Sequence, residues 1–165
     1  GDKDSFQILK ERFLKEARIL RDCSSLSGIV HILDYFDKNG IDYIVRKLDT
    51  ADYAIDGKTD IAIDRKQNLD ELSRNLTNKS DKSRFWKEVR RSHSSRSRMI
   101  ILCEHSANVR SIDDVAKWHS KFSPVSGAHL RDEIYRVHIA YGVEFLFCSK
   151  KETPQKILEL LGYER

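Results

Sequence analysis

The feature that most constrains the fold is residues 99–103, Met-Ile-Ile-Leu-Cys, which are apolar at every position. A strand with one face in water alternates apolar and polar residues, whereas an uninterrupted apolar run indicates a strand covered on both faces. Residues 143–147 predict a second buried strand of this kind. Helical patterns lie between and around the two runs, so the sequence predicts an α/β domain with helices on both sides of a central sheet.

The first half of the chain predicts two helices followed by three short strands. Apolar residues at helical spacing indicate an amphipathic helix over residues 5–20, and Asn39-Gly40 ends a second helix over residues 29–37. Asp56-Gly57 has the composition of a tight hairpin turn. The predicted strands cover residues 41–45, 52–55 and 60–64.

The second half of the chain predicts helices around the two buried strands. Ser111, Ser126 and Thr153 are suitable N-cap residues, because a side-chain hydroxyl can accept a hydrogen bond from an unpaired N–H of the first helical turn. Strands and helices therefore alternate after an early group of short strands, which predicts a mixed central sheet. The predicted helices cover residues 68–76, 80–94, 111–119, 126–141 and 154–161.

Composition excludes two broad classes of protein. Apolar residues make up 39% of the 165 residues, which is enough to build a core and excludes wholesale disorder. The sequence has no run of about 18 apolar residues, so we expect no association with a membrane. Cys23, Cys103 and Cys148 are odd in number and lack the spacing of a zinc site, which favours reduced thiols in a reducing compartment such as the prokaryotic cytoplasm.

The net charge of +4 conceals an uneven distribution. Residues 82–98 contain seven basic residues and one acid, Glu88, so this segment carries +6 and the rest of the chain about −2. Such a segment can bind DNA phosphates without regard to base sequence, although a solvated helix face has the same composition. The candidate DNA-binding residues are Arg84, Lys87, Arg90, Arg91, Arg96 and Arg98.

The acidic segment 49–70 contains the pattern most specific for chemistry. Side chains alternate along a strand, so Asp64 and Lys66 point to the same face, and an antiparallel neighbour containing Asp52 would add a second carboxylate. Two carboxylates can hold Mg²⁺ for phosphodiester hydrolysis, and a lysine can orient the attacking water or neutralise the developing charge. Asp70 can join this group or cap the following helix. The alternative is an ordinary acidic strand end with a lysine nearby.

The segment Ala51-Asp52-Tyr53, followed by Ile63-Asp64-Arg65-Lys66 and then by Asp70, resembles the XPF-type structure-specific endonuclease domain. That family carries Gly-Asp, a variable gap, Glu-Arg-Lys, three residues and Asp. Its small prokaryotic and phage members carry an Asp-Arg-Lys-Gln-Asn-Leu version, like residues 64–69 here. The resemblance extends over about residues 29–165.

The resemblance implies a restriction-endonuclease-like, PD-(D/E)xK fold with about five strands, and DNA cleavage that depends on Mg²⁺ or Mn²⁺. Asp52 and Asp64 would be metal ligands, together with the backbone carbonyl of Arg65. Lys66 would be the catalytic lysine. Arg65 would be a supporting or DNA-facing residue, and Asp70, the motif's last Asp, would support the site. Arg84 matches a basic residue of the family's later helix.

The sequence departs from the family pattern at three places. Ala51 replaces the glycine before the first aspartate, which restricts the backbone but changes no chemistry. Asp64 replaces a glutamate and is still a competent ligand. The family opens with a strand that ends in Asp-x-Arg-Glu. In this sequence only the Asp of that motif has a counterpart, Asp22, which is therefore a candidate supporting residue. Residues 17–22 consequently have two interpretations, a helix by periodicity and a strand by resemblance.

The N-terminal 45 residues also resemble part of a protein-kinase small lobe. No glycine-rich loop, catalytic loop or Asp-Phe-Gly accompanies them, so a working kinase is excluded. We assign residues 1–28 to a helical extension and residues 29–165 to the nuclease domain. The tandem helix-hairpin-helix module that often follows this domain is missing from the 165 residues, so we expect a partner nuclease subunit or a second copy to supply DNA geometry.

The sequence therefore predicts a metal-dependent DNA endonuclease that hydrolyses phosphodiester bonds at branched or single-strand/duplex junctions. The resemblance implies that its products carry a 5′-phosphate and a 3′-hydroxyl. The alternative is a catalytically inactive DNA-binding or scaffold subunit, which the loss of the Arg-Glu motif favours. The presence of Asp52, Asp64 and Lys66 favours activity.

Overall fold

A single mixed β-sheet organises the computed structural model, which describes residues 18–24, 28–49, 51–105 and 108–163. The order of its six strands is β2-β1-β3-β4-β5-β6, and β3 is antiparallel to both of its neighbours while the other adjacent pairs are parallel. The strands are β1 (Ile19–Asp22), β2 (Tyr43–Arg46), β3 (Tyr53–Ile55), β4 (Lys58–Lys66), β5 (Arg98–Glu104) and β6 (Glu144–Cys148).

Helices cover both faces of this sheet. They are α1 (Val30–Lys38), α2 (Leu69–Thr77), α3 (Lys79–Ser94), α4 (Gly127–Tyr141) and α5 (Thr153–Leu161), with a 3₁₀ helix at Asp113–Lys117. Helices α2, α3 and α4 pack on one face, and α1 and α5 pack on the other. Each face has its own apolar core, as expected for a central sheet buried on both sides.

The strand β5 shows how the apolar run at residues 99–103 is used. Met99, Ile101 and Cys103 belong to the core beneath α2, α3 and α4, whereas Ile100 and Leu102 belong to the core beneath α1 and α5. All five side chains are buried. The continuous apolar sequence is therefore required by the two-sided burial of this strand.

The structure confirms the predicted turns at Asp56-Gly57 and Asn39-Gly40 and the predicted Ser126 cap. Gly57 has φ +80° in the Asp56-Gly57 turn between β3 and β4, and Gly40 has φ +66° just after α1. The Ser126 hydroxyl accepts a hydrogen bond from His129 N–H at the start of α4, over 3.1 Å. Cys23, Cys103 and Cys148 are all free thiols. Within the described ranges, no helix is both long enough and apolar enough to cross a bilayer.

The structure decides between a helix and a strand for residues 18–22, the described part of segment 17–22. Ile19–Asp22 is a strand, not the end of a helix, and it lies inside the sheet between β2 and β3. Residues 19–22, which we assigned to the N-terminal extension, are thus part of the sheet. Most of the helix predicted over residues 5–20 lies outside the described residues.

Two helix predictions in the second half need correction. The segment after Ser111 forms a 3₁₀ helix at Asp113–Lys117 instead of an α-helix, although Ser111 Oγ does accept a hydrogen bond from Asp114 N–H, over 3.3 Å. Glu152, not Thr153, is the residue that precedes α5. The sheet has six strands rather than about five because the four-residue β1 is added to it.

Candidate active site

Three aspartates lie side by side across β1, β3 and β4. Asp22 ends β1, Asp52 immediately precedes β3, and Asp64 lies near the end of β4. The Asp22 N–H donates to the Asp52 carbonyl and the Asp52 N–H donates to the Ile63 carbonyl, each over 2.8 Å. Because side chains alternate along strands, this pairing directs all three carboxylates to the face that α3 covers.

The three carboxylates line a cleft of about 380 Å³ between the sheet and α3. Helix α3 contributes an acid, Glu88, and a basic rim to the same cleft. These α3 residues are spaced by three or four positions, so they occupy one face of the helix. The α3 residues that line the cleft are Arg84, Lys87, Glu88 and Arg91.

Asp52 and Asp64 are neighbouring carboxyl groups in this cleft. Tyr53 of β3 pairs with Ile63 of β4, so the adjoining residues Asp52 and Asp64 lie beside each other on the two chains. Burial raises the pKa of Asp52 well above its usual range, and the negative charge of Asp64 raises it further. The Arg65 N–H donates to Asp52 Oδ2 over 2.8 Å and opposes this rise. The pair is therefore a strained concentration of negative charge.

Lys66 supplies a compensating positive charge next to Asp64. Its Nζ lies 3.0 Å from Asp64 Oδ2, and only 8% of the residue is exposed. Burial lowers the pKa of Lys66, but the negative charge of Asp64 outweighs that effect and raises the pKa overall. Lys66 is therefore a buried ammonium held next to a carboxylate, and its Nζ also lies 5.8 Å from the centre of the Phe85 ring.

Asp22 lies in the same cleft but is engaged with the backbone. Its Oδ1 accepts from Leu48 N–H over 2.8 Å, and its Oδ2 accepts from both the N–H and the hydroxyl of Ser24. Burial raises the pKa of Asp22, yet these hydrogen bonds outweigh burial and lower it overall. Asp22 thus organises the loop that leads to Asp52.

The chemistry of the cleft fits a hard divalent cation. Among the described residues, Asp64 Oδ2 is a buried oxygen that accepts no hydrogen bond, and the Lys66 ammonium lies 3.0 Å from it. Mg²⁺ binds one or two protein carboxylates and completes its shell with water and phosphate oxygens. Asp52 and Asp64 supply that number of carboxylates. Over the described part of the chain, no group of three or more His, Cys, Asp or Glu side chains is arranged to hold a metal by itself.

The side chain of Arg65 lies on the opposite face of the sheet from Asp64 and Lys66. Its guanidinium forms a buried ion pair with Glu104 and donates to the Gly28 carbonyl over 2.8 Å. Glu104 also lies 3.0 Å from Nε2 of His31. Arg65 therefore contributes its backbone, not its guanidinium, to the cleft. In a strand the N–H and C=O of one residue project towards the same neighbouring strand, so the Arg65 carbonyl projects towards Asp52.

The remaining predicted residues do not line the cleft with the carboxylate pair. Asp70 Oδ1 accepts from the Ser120 hydroxyl over 2.6 Å, which ties α2 to the loop before α4. Asn68, not Asp70, caps α2 by accepting from Glu71 N–H over 2.8 Å. Arg98 forms a two-point ion pair with Glu144 at the start of β6. Arg90 and Arg96 are exposed and are absent from the cleft lining.

Comparison with known families identifies the domain. The family described as "ERCC4 domain" matches residues 16–161, most of the chain. The chain belongs to the ERCC4 domain family. The match includes residues 16–45 of the segment that also resembles a kinase lobe, and it includes all of the cleft residues described above. None of the curated proteins matches this sequence.

Solved structures show the same fold as this ERCC4 domain. XPF from Aeropyrum pernix superposes with a TM-score of 0.65 at 16% identity, over 87% of this chain and 63% of that one. A structure of XPF from Aeropyrum pernix in complex with DNA gives a TM-score of 0.63 at 15% identity, over 89% and 64% of the two chains. The ERCC4 domain described here therefore has the expected restriction-endonuclease-like fold and spans less than two thirds of the solved chains.

Glu88 is the cleft residue of this ERCC4 domain that sequence reasoning missed. It is half-buried, and its Oε1 accepts a hydrogen bond from Ala51 N–H over 2.9 Å. Burial and the charge of Asp64 raise the pKa of Glu88. Its signal in the sequence was its isolation, since it is the one acid within the basic segment 82–98.

We predict that Arg65→Ala destabilises the fold instead of acting first on DNA binding. Glu104, whose side chain is 4% exposed, would lose its buried ionic partner, so the free energy of unfolding should fall by about 3–5 kcal/mol. Urea denaturation measures this loss. Replacing both partners, Arg65→Met with Glu104→Met, should recover part of it. Unchanged stability together with weakened DNA binding would place Arg65 at the DNA interface.

We predict that Asp52→Asn stabilises the metal-free domain at pH 7. Because folding raises the pKa of Asp52, its stabilising contribution is complete below the ordinary aspartate pKa and is lost as pH rises through the folded value. The amide keeps an acceptor for Arg65 N–H and removes the charge. The gain should be on the order of 1 kcal/mol at pH 7 and should shrink near pH 4, as measured by thermal unfolding at the two pH values. A loss of stability at pH 7 would contradict electrostatic repulsion between Asp52 and Asp64.

Proposed function

We propose that this chain is the nuclease domain of a metal-dependent DNA endonuclease. The observation that carries the proposal is that Asp52 and Asp64, with Lys66 paired to Asp64, lie at a cleft whose outer edge is lined by arginine and lysine side chains of α3. An acidic floor suits a divalent cation, and a basic rim suits the phosphate backbone of DNA. Membership of the ERCC4 domain family and the fold shared with XPF support the same function.

The cleft residues divide the work of phosphodiester hydrolysis. Asp52 and Asp64 would hold Mg²⁺ or Mn²⁺, with the Arg65 carbonyl beside them. When bound, the cation lowers the pKa of a coordinated water and stabilises charge on the phosphate oxygens. Lys66, already held as an ammonium next to Asp64, orients the water or neutralises the additional negative charge of the transition state.

The proposed substrate is branched DNA or a single-strand/duplex junction, and this rests on the resemblance to XPF-type domains. The XPF structure determined in complex with DNA supports DNA as the partner class. A second copy or a nuclease partner subunit is proposed to supply further DNA contacts. Three free thiols, two of them buried, fit a reducing compartment such as the prokaryotic cytoplasm.

Cleavage of fork and flap DNA in Mg²⁺ or Mn²⁺ tests the proposed activity. Asp64→Asn should lower the cleavage rate by about 100-fold or more while leaving DNA binding within about threefold, since it removes a metal ligand but preserves the side-chain shape. Glu159→Gln, the same type of change at an exposed position on α5, is the matched control and should cleave normally.

If the domain is a catalytically inactive scaffold, the same assay should show DNA binding without cleavage. The missing Arg-Glu motif and the engagement of Asp22 with Leu48 and Ser24 favour this alternative. If the wild type fails to cleave fork, flap and nicked substrates in either metal, yet binds them as well as Asp64→Asn does, the domain is a DNA-binding scaffold and the proposed activity is wrong.

We predict that DNA binding depends on the basic rim more than on the other basic residues of segment 82–98. Arg84→Ala with Lys87→Ala removes two rim charges, so the slope of log K against log salt should become shallower by about 2. The matched control, Arg90→Ala with Arg98→Ala, removes the same charge away from the cleft, and Arg98 is already paired with Glu144. Fluorescence anisotropy with a labelled fork between low and moderate salt measures both slopes. Equal changes in the two double variants would contradict a path across the cleft.

A further inference from the structure

We infer that Glu88 is a positioning residue that holds the Ala51–Asp52 backbone in the conformation that places Asp52 beside Asp64. The inference rests on three features of the same small region. The backbone at Ala51 is left-handed, its N–H is bound by Glu88, and the adjoining loop is fixed to the same face of α3 by Arg91. The consequence for metal binding rests on the proposed function, whereas the structural role does not.

Ala51 adopts a backbone conformation that a residue with a Cβ atom disfavours. Its φ is +67°, in the left-handed region, and the residue is buried. Only glycine enters this region freely, because a Cβ atom there crowds the following carbonyl. The resembled motif has glycine at this position. In this chain an additional interaction must therefore hold the backbone in place.

Glu88 provides that interaction from across the cleft. Its Oε1 accepts the Ala51 N–H over 2.9 Å, a charge-assisted hydrogen bond in a half-buried setting. Arg91, one helical turn further along α3, donates from Nη1 to the Asp49 carbonyl over 3.0 Å. The helix thus binds the segment before β3 at two points, and Asp52 is the next residue after the bound N–H.

The contacts of the neighbouring acids separate this role from that of a metal ligand. Asp64 Oδ2 accepts no backbone N–H. Asp52 accepts Arg65 N–H from the neighbouring strand, whereas Glu88 accepts Ala51 N–H from across the cleft. A glutamine at position 88 can keep that acceptor oxygen, whereas an alanine cannot. The comparison of Glu88→Gln with Glu88→Ala therefore isolates the hydrogen bond, because both variants lose the same charge.

Hydrogen exchange of the Ala51 amide tests the structural role without metal. We expect exchange to be faster by about tenfold or more in Glu88→Ala than in Glu88→Gln, which should remain close to the wild type. Exchange at Ile101 in β5 reports global unfolding and should be the same in both. Equal Ala51 exchange in the two variants would overturn the inference.

Titration with Mn²⁺ tests the consequence for the site. Glu88→Ala should bind Mn²⁺ several-fold more weakly than Glu88→Gln, by about fivefold or more. If the two variants lose the same affinity, Glu88 acts through its charge or as a ligand and the positioning role is wrong. If the wild type itself binds no Mn²⁺, the proposed function fails, while the exchange experiment still decides the role of Glu88.

Ala51→Gly provides a second background in which to test the same role. Glycine reaches φ +67° without steric cost, so the dependence of Mn²⁺ affinity on Glu88 should be reduced in this variant. We expect the ratio between Glu88→Gln and Glu88→Ala to fall towards one when Ala51→Gly is present. If Glu88→Ala fails to fold alone, Ala51→Gly with Glu88→Ala takes its place. An unchanged ratio would show that Glu88 acts independently of the Ala51 backbone.

Discussion

The pairing of β3 with β4 is the constraint on which the candidate active site depends. The Asp56-Gly57 turn pairs Ile55 with Lys58, and an irregularity between Tyr53 and Ile55 then shifts the register so that Tyr53 pairs with Ile63. A slip of one residue would turn Asp64 and Lys66 to the α1 and α5 face and Arg65 to the cleft. In the present register Ile63 is fully buried in the core beneath α1 and α5, where a charged side chain would be costly. The register of β3 and β4 therefore determines both the packing of the core and the positions of the carboxylates.

The neighbouring carboxylates of the cleft oppose folding. Asp52 and Asp64 are neighbours in a partly buried space, and burial together with the charge of Asp64 raises the pKa of Asp52. Lys66 offsets part of that penalty, while Asp22 and Glu88 use their carboxylates to bind backbone N–H groups. Clusters of like charge that oppose folding are typical of functional sites, and a bound cation would supply the missing positive charge.

The sequence predicts the parts of this site that depend on short-range pattern. Alternation along β4 predicts that Asp64 and Lys66 share a face, and an antiparallel neighbour containing Asp52 adds the second carboxylate. The same alternation places the Arg65 side chain on the face opposite the cleft. This position conflicts with the expectation that its guanidinium faces DNA at the cleft. Glu88 was missed because its role arises from the approach of α3 to the loop before β3, and spacing along the chain does not encode that contact. The strand β1 was ambiguous, since four buried residues carry too little pattern to compete with an amphipathic repeat.

The consecutive residues Asp64, Arg65 and Lys66 join the two faces of the sheet through alternation alone. Asp64 and Lys66 lie on the cleft side of the sheet, while the Arg65 guanidinium on the other side binds Glu104 and the Gly28 carbonyl just before α1. The Arg65 N–H meanwhile binds Asp52. A disturbance on the α1 face that shifts Arg65 would consequently move the backbone that holds Asp52. The three residues are consecutive because adjacent strand residues are the shortest covalent link between a buried ion pair on one face and the carboxylate pair on the other.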